Sequence, residues 1–122
     1  MSANPANEWL EVVPVGEATV VRFGPDCGKF LKDEAIKTLG DRLFGLLEGE
    51  GHRRLVLNLA NVGRLDSLLL GKLVALHKKA LAAGGRVVLC QLSPQLYDVF
   101  QTLQLTGFLR IYGSEAEALQ NV

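Results

Sequence analysis

An excess of either charge is missing from this sequence: 13 Lys and Arg balance 13 Asp and Glu over 122 residues. A formal charge of zero supplies no electrostatic footprint for nucleic acid or for an anionic membrane surface. Cysteine is scarce as well. Cys27 and Cys90 are too few for a disulfide framework. The two histidines, His52 and His77, lie in different segments from each other and from the cysteines, so the short ligand spacing of a metal site is absent. No apolar run approaches the ~18 residues that a membrane span requires. Met1 to Glu8 has neither the basic cluster nor the apolar stretch of a secretory signal. These absences argue against a disulfide scaffold, a zinc module and a membrane protein. They lead to the expectation of a soluble, cytoplasmic chain with no bound cofactor.

What is present is an ordinary globular balance, 48% hydrophobic and 21% charged in 13.2 kDa, the size of one domain. Residues 1–8 read as a loose polar lead-in and residues 9–122 as a single domain. Trp9–Val13 and Ala18–Phe23 read as strands, the second bounded by Gly16 and Gly24. From Asp33 to Glu48 the period changes: Ile36, Leu39, Leu43 and Leu47 recur at helical spacing, with Gly40 costing about 1 kcal/mol against Ala. Arg54–Leu59 is a nearly continuous apolar strand, the mark of a sheet covered on both faces. Leu68–Ala83 reads as a helix closed by Gly84-Gly85, and Arg86–Cys90 as another buried strand. Ser93 is expected as the N-cap and Pro94 as the first residue of a third helix, with Leu96, Val99, Phe100 and Leu103 as its apolar face and Gly107 ending it. Phe108–Tyr112 is a last strand. Ser114 and Glu117 form the S-x-x-E capping pattern of a final helix. Strands alternating with helices imply an α/β fold around a mainly parallel sheet. The expected core includes Val20, Leu43, Val56, Leu57, Leu73, Val88, Phe100 and Ile111.

Several segments invite a chemical reading. Gly24 to Lys29 follows a strand as a phosphate-binding loop would, but only three residues separate its glycines and Phe30 stands where a hydroxyl should meet magnesium. It reads as a turn. No G-x-S-x-G elbow is present and no histidine sits in a catalytic segment, so no enzyme is indicated. Cys90 reads as a small hydrophobe and His77, beside Lys78 and Lys79, as a solvated surface residue. Lys72 and Lys79 share a helix face, either a solvated surface or a patch facing an acidic partner. Asp66-Ser67 stands at a loop–helix junction. Both residue types cap helices well. A phosphoryl group on Ser67 would also suit a helix N-terminus while changing the sign of the surface. Leu68, Leu69 and Leu70 cannot all point inward at 100° per residue, and Leu68 is expected to be exposed as a partner or dimer contact.

The ordered series LVLNLANVGRLDS, a helix, then GGRVVLCQLSPQLYDVFQTLQLTGFLRIYGSEAEAL resembles the STAS domain, a family named for sulphate transporters and anti-sigma factor antagonists. The resemblance implies a small mixed, mostly parallel sheet covered by helices on one side. It implies a binding module rather than an enzyme, with the serine after the aspartate, here Ser67, phosphorylated by a serine kinase that is often also the anti-sigma factor. Asp26, Asp66, Ser67, Leu68, Leu69 and Lys72 would then meet the partner, and a weak homodimer is allowed. The run Asp66-Ser67-Leu68-Leu69-Leu70-Gly71 keeps only part of the family's pattern after the serine, and Gly24–Gly28 replaces its Gly-Glu-Leu-Asp-like turn. The alternative implied function is a non-switching STAS subunit of a larger assembly, a stressosome-like complex or the cytoplasmic subunit of a lipid or anion transporter.

Overall fold

The computed structural model describes residues 10–24, 33–49, 51–62 and 67–122. Five strands, β1 (Leu10–Val15), β2 (Ala18–Phe23), β3 (Arg54–Asn58), β4 (Arg86–Cys90) and β5 (Arg110–Tyr112), form one sheet in the order β1-β2-β3-β4-β5. The first pair is antiparallel and the other three are parallel. Helices α1 (Asp33–Glu48), α2 (Ser67–Ala82), α3 (Pro94–Thr102) and α4 (Glu115–Asn121) are the helices among the described residues. The α/β order expected from the periodicities is the observed one.

The register sorts side chains by size. One row across the sheet is Val12, Val21, Leu57, Leu89 and Ile111, and its neighbour is Val13, Val20, Val56, Val88 and Arg110. Successive residues of a strand point to opposite faces, so the two rows lie on different sides. The leucine-bearing face joins Phe23, Leu55, Leu59, Leu39, Leu43, Leu46, Leu73, Leu76, Leu96 and Phe100 in the large core beneath α1, α2 and α3. The valine-bearing face, with Cys90, is covered by Ala118, Leu119 and Val122 of the C-terminal segment. The cover is therefore not one-sided: α4 closes the opposite face, because strands this apolar on both sides cannot leave either in water. Of the expected core, Val20, Leu43, Val56, Leu57, Leu73, Val88 and Phe100 are buried, while Ile111 on the short edge strand is half-buried.

Local chemistry accounts for the boundaries. β1 runs on through Pro14 to a two-residue turn at Gly16-Glu17, with Gly16 at φ 60°. An edge strand tolerates this proline, so β1 extends two residues beyond the expected Val13. α2 stops in a left-handed Gly84 (φ 81°), with the Gly85 amide donating to the Ala80 carbonyl at 2.7 Å. A Cβ on Gly85 would collide with the Arg53 carbonyl, which also accepts from the Arg86 amide at 2.8 Å. Ser93 caps α3, its hydroxyl accepting from the Leu96 amide at 3.2 Å, and Pro94 is the first residue. The stop of α3 differs from expectation. Gln104, not Gly107, takes the left-handed conformation (φ 59°), and the Leu105 amide reaches back to the Phe100 carbonyl at 2.8 Å. Phe108 and Leu109 then donate to the Leu105 carbonyl, which delays β5 to Arg110. With α3 only nine residues long, Leu96 and Phe100 reach the core, while Val99 (39% exposed) and Leu103 (51%) do not.

Gly40 is explained by packing. The aliphatic stem of Lys72 on α2 lies across it, where a Cβ would stand. Lys79 also turns to α1, its ammonium 3.2 Å from Glu48 Oε1 and 5.6 Å from the Phe44 ring centre. The shared lysine face thus lies along the junction of two helices.

His77 is not solvated. It is 5% exposed, with its ring edge-on to Phe108 at 4.7 Å between centres, and Nδ1 has no hydrogen-bond partner among the described residues. Burial pushes its pKa below the ordinary value, with backbone groups of Val87 and Phe108 partly opposing and Arg86 adding to the fall. The unfolded chain protonates this ring near pH 6.5 and the folded chain only at lower pH, so acidification favours unfolding in that window. The melting temperature is expected to drop between pH 7 and pH 5.5 more for the wild type than for His77→Leu. Parallel slopes for the two proteins by differential scanning fluorimetry would refute this account.

Candidate functional site

The carboxyl ends of parallel strands are where open α/β sheets gather their polar groups. Here a third register row, Glu11, Arg22, Asn58, Cys90 and Tyr112, crosses the sheet at that end on the α4 side. Arg22 is the only charged residue of β2 and Asn58 the only polar residue following three apolar ones in β3. Both are drawn to Glu115, the first residue of α4. The Arg22 guanidinium grips the carboxylate with two bonds, Nε to Oε2 at 2.8 Å and Nη2 to Oε1 at 2.9 Å, and its Nη1 donates to Glu11 at 2.8 Å. Asn58 Nδ2 donates to Glu115 Oε2 and to Gln91 Oε1, both at 2.6 Å. Asn58 Oδ1 accepts from the Ala60 amide at 2.9 Å.

Electrostatics follow from these contacts. The hydrogen bonds from Arg22 hold the Glu115 carboxyl below its ordinary pKa, with burial opposing and Asn58 assisting. The same bond to Glu115, with Glu11 second, holds the Arg22 guanidinium further into its charged form. Burial pushes the Cys90 thiol up to about 11, with the Glu115 charge adding to it, so the thiol is protonated at neutral pH and is not a nucleophile.

The network anchors the start of the β3–α2 connection. The Leu59 amide donates to the Cys90 carbonyl at 3.0 Å, Asn61 Nδ2 to the Phe23 carbonyl at 2.9 Å, and the Val62 amide to the Leu59 carbonyl at 3.0 Å. Ser67 then opens α2 as its first residue. Leu68 beside it is 42% exposed, as expected. Leu69, expected among the partner-contacting residues, is fully buried in the large core and offers no surface; Leu70 packs half-buried against the same core. Lys72, one turn after Leu68, is half-buried with its stem on α1. Asp26, Asp66, Cys27 and the loop Pro25–Lys29 lie outside the described residues.

The sequence reading missed Arg22, Asn58, Gln91 and Glu115. A signal existed: one charge in ATVVRF and one amide in RLVLN sit at strand ends where apolar residues would otherwise continue. Glu115 carried no such mark, since it stands inside the capping pattern where Ser114 accepts from the Glu117 amide at 3.2 Å. Among the described residues, no group of three His, Cys, Asp or Glu could hold a metal ion. None of the described helices is long and apolar enough to cross a membrane. An open groove of about 300 Å³ lies beside the network, between Gln91, Pro94, Tyr97 and Tyr112.

Comparison with known proteins agrees with this architecture. The family model of the STAS domain matches residues 31–118, well over half the chain. The protein TM1081 of Thermotoga maritima, provisionally described as an anti-sigma factor antagonist, superposes with a TM-score of 0.81 at 24% identity, over 98% of each chain. An anti-sigma factor antagonist from Mycobacterium paratuberculosis gives 0.78 at 18% identity, over 99% of this chain and 98% of its own. The phosphorylated form of the Bacillus cell fate determinant SpoIIAA gives 0.67 at 22% identity, over 91% and 96%. At these identities the structures establish a shared fold.

Glu115 binds fewer protons folded than unfolded below its ordinary pKa, so its contribution is present above about pH 4.5 and is lost on further acidification. Glu115→Gln is therefore expected to melt lower than the wild type at pH 7, with the gap closing as pH falls from 4.5 to 3. A gap that stays constant over that range would show that the carboxylate charge contributes nothing.

Proposed function

The chain belongs to the STAS domain family, and from that membership we propose that it is a regulatory protein-binding module, without catalysis of its own, switched by phosphorylation of Ser67. The observation that supports this most directly is the pairing of Ser67, at the start of α2, with the 42%-exposed Leu68 directly after it. Leu68 gives a partner apolar area to bury directly beside the serine. A serine beside it is placed to control that contact. The partner is a serine kinase of the anti-sigma factor kind. The surface offered to it includes Asp66, Ser67, Leu68 and Lys72, with Asp26 contributing from the segment between β2 and α1. Leu69 supports this surface from the core side.

The physics of the switch is local. A phosphoryl group brings a charge of about −1.5 to −2 at neutral pH. The backbone amides at the start of α2 favour it, so the fold survives. A partner that had closed over a neutral hydroxyl and Leu68 would meet a dianion, which is expensive to desolvate. Some 3 kcal/mol of lost binding corresponds to roughly a hundredfold in affinity. SpoIIAA, which shares the fold, is described in both phosphorylated and unphosphorylated forms, and that precedent supports assigning the same behaviour to Ser67.

Pull-down from native lysate, with mass spectrometry of residues 65–72, identifies the partner and reads the modification together. Ser67→Ala is expected to keep partner binding and abolish phosphorylation. Ser67→Asp is expected to weaken binding at least tenfold while changing stability by less than about 1 kcal/mol, since Asp suits a helix start as well as Ser does. Unchanged affinity of Ser67→Asp in titration calorimetry would overturn the switch and leave a permanently assembled, non-switching subunit as the function.

A further inference from the structure

Asn58 makes one connection that the folding of the sheet does not itself demand. Its side chain is 7% exposed in the residue as a whole and serves two elements at once. The oxygen holds the Ala60 amide, the second residue of the connection that leads to Ser67. The nitrogen holds Glu115 at the start of α4 and Gln91 in the β4–α3 connection. A carboxamide is planar, and its oxygen and nitrogen are fixed relative to each other. If Glu115 moves, Asn58 cannot follow it by rotation without releasing Ala60. Nor can water easily take the vacated place at a buried amide.

α4 is an element that can carry such a signal. It is seven residues long and seats on the valine face through Ala118 and the half-buried Leu119, with Val122 just beyond the helix. Its first residue is clamped by the Arg22 fork. So its seating depends on few contacts, and two of its polar links, Arg22 and Asn58, are residues of one register row.

We propose that Asn58 and Glu115 are positioning residues that couple the seating of α4 to the backbone leading into Ser67. A partner that grips α4 would thereby change how Ser67 is presented, and occupation of Ser67 would change how firmly α4 is held, because coupling between two sites is reciprocal. The functional meaning of this coupling rests on Ser67 being the phosphoacceptor; the coupling itself does not.

Hydrogen exchange followed by mass spectrometry on the purified chain tests it without kinase or nucleotide. Glu115→Ala is expected to raise exchange about five- to tenfold in peptides covering 59–62 and 67–70, the effect of losing one or two buried hydrogen bonds. Exchange in 37–48 of α1 should stay as in the wild type, which separates local coupling from general loosening. Glu17→Ala, which removes the Arg54–Glu17 ion pair (3.4 Å) outside the network, should leave 59–70 unchanged. Asn58→Leu should give the same pattern as Glu115→Ala. Should Asn58→Leu fail to fold, Glu115→Gln, which keeps the side chain's shape, provides the second measurement, with a smaller rise in the same peptides. Faster exchange confined to 113–122, or spread equally over α1, would overturn the proposal. Absence of phosphate on Ser67 in cells would overturn the switch instead and leave these exchange rates as they are, so the two failures are distinguishable.

Discussion

A five-stranded sheet that is apolar on both faces must be covered on both faces, and the rest of this structure answers that requirement. The leucine face needs three helices; the valine face, with smaller side chains and less area, needs only a seven-residue helix and the chain end. The large face is the stable platform. It holds α2 by Leu69, Leu73, Leu76 and Ala80, all without exposed surface, so the body of α2 from Leu69 onward is placed by a packed core.

The small face has a different character. Ala118 and its neighbours bury little area, and a short helix contributes few internal hydrogen bonds of its own. The Arg22–Glu115 fork and the Asn58 amide compensate by fixing the first residue of α4 to the ends of β2 and β3. Because the same amide also ties the β3–α2 connection, polar groups recruited to seat a helix become attached to the region that carries Ser67. Gln91, at φ 57° in a region that side chains rarely adopt, completes the arrangement by presenting its own amide oxygen to Asn58.

Some exposed apolar side chains on α2 and α3 have different origins. Leu68 stands beside the serine on the platform side, and Val99 and Leu103 stand on α3. Leu68 is exposed because Leu69 takes the inward direction and successive residues diverge by 100°. On α3 the core takes Leu96 and Phe100, so Val99, 100° round from Phe100, faces away, and Leu103 lies past the last helical residue, Thr102. The first follows from helix geometry alone. The position of Leu103 also reflects a left-handed stop at Gln104 that a glycine-based rule does not anticipate.

What the sequence determined by itself is the part governed by local rules. Apolar runs bounded by turn residues placed the strands, helical periodicity and capping patterns placed the helices that follow β2 to β5, and the caps at Ser93, Gly84 and Ser114 stand where those residue types work best. The ordered series from Leu55 to Leu119 identified the family for the same reason, since its motifs are contiguous. Only the tertiary structure decided what depends on residues far apart in the chain. Arg22, Asn58 and Glu115 meet across separations of 57 and 93 residues. His77 is buried because Phe108 comes to lie against it, and Lys72 lies over Gly40 because α1 and α2 pack side by side. Hydrophobic periodicity reports which way a side chain faces relative to its own helix or strand. It carries no information on which partner arrives on that side, and for a polar or titratable group that partner decides both its charge and its role.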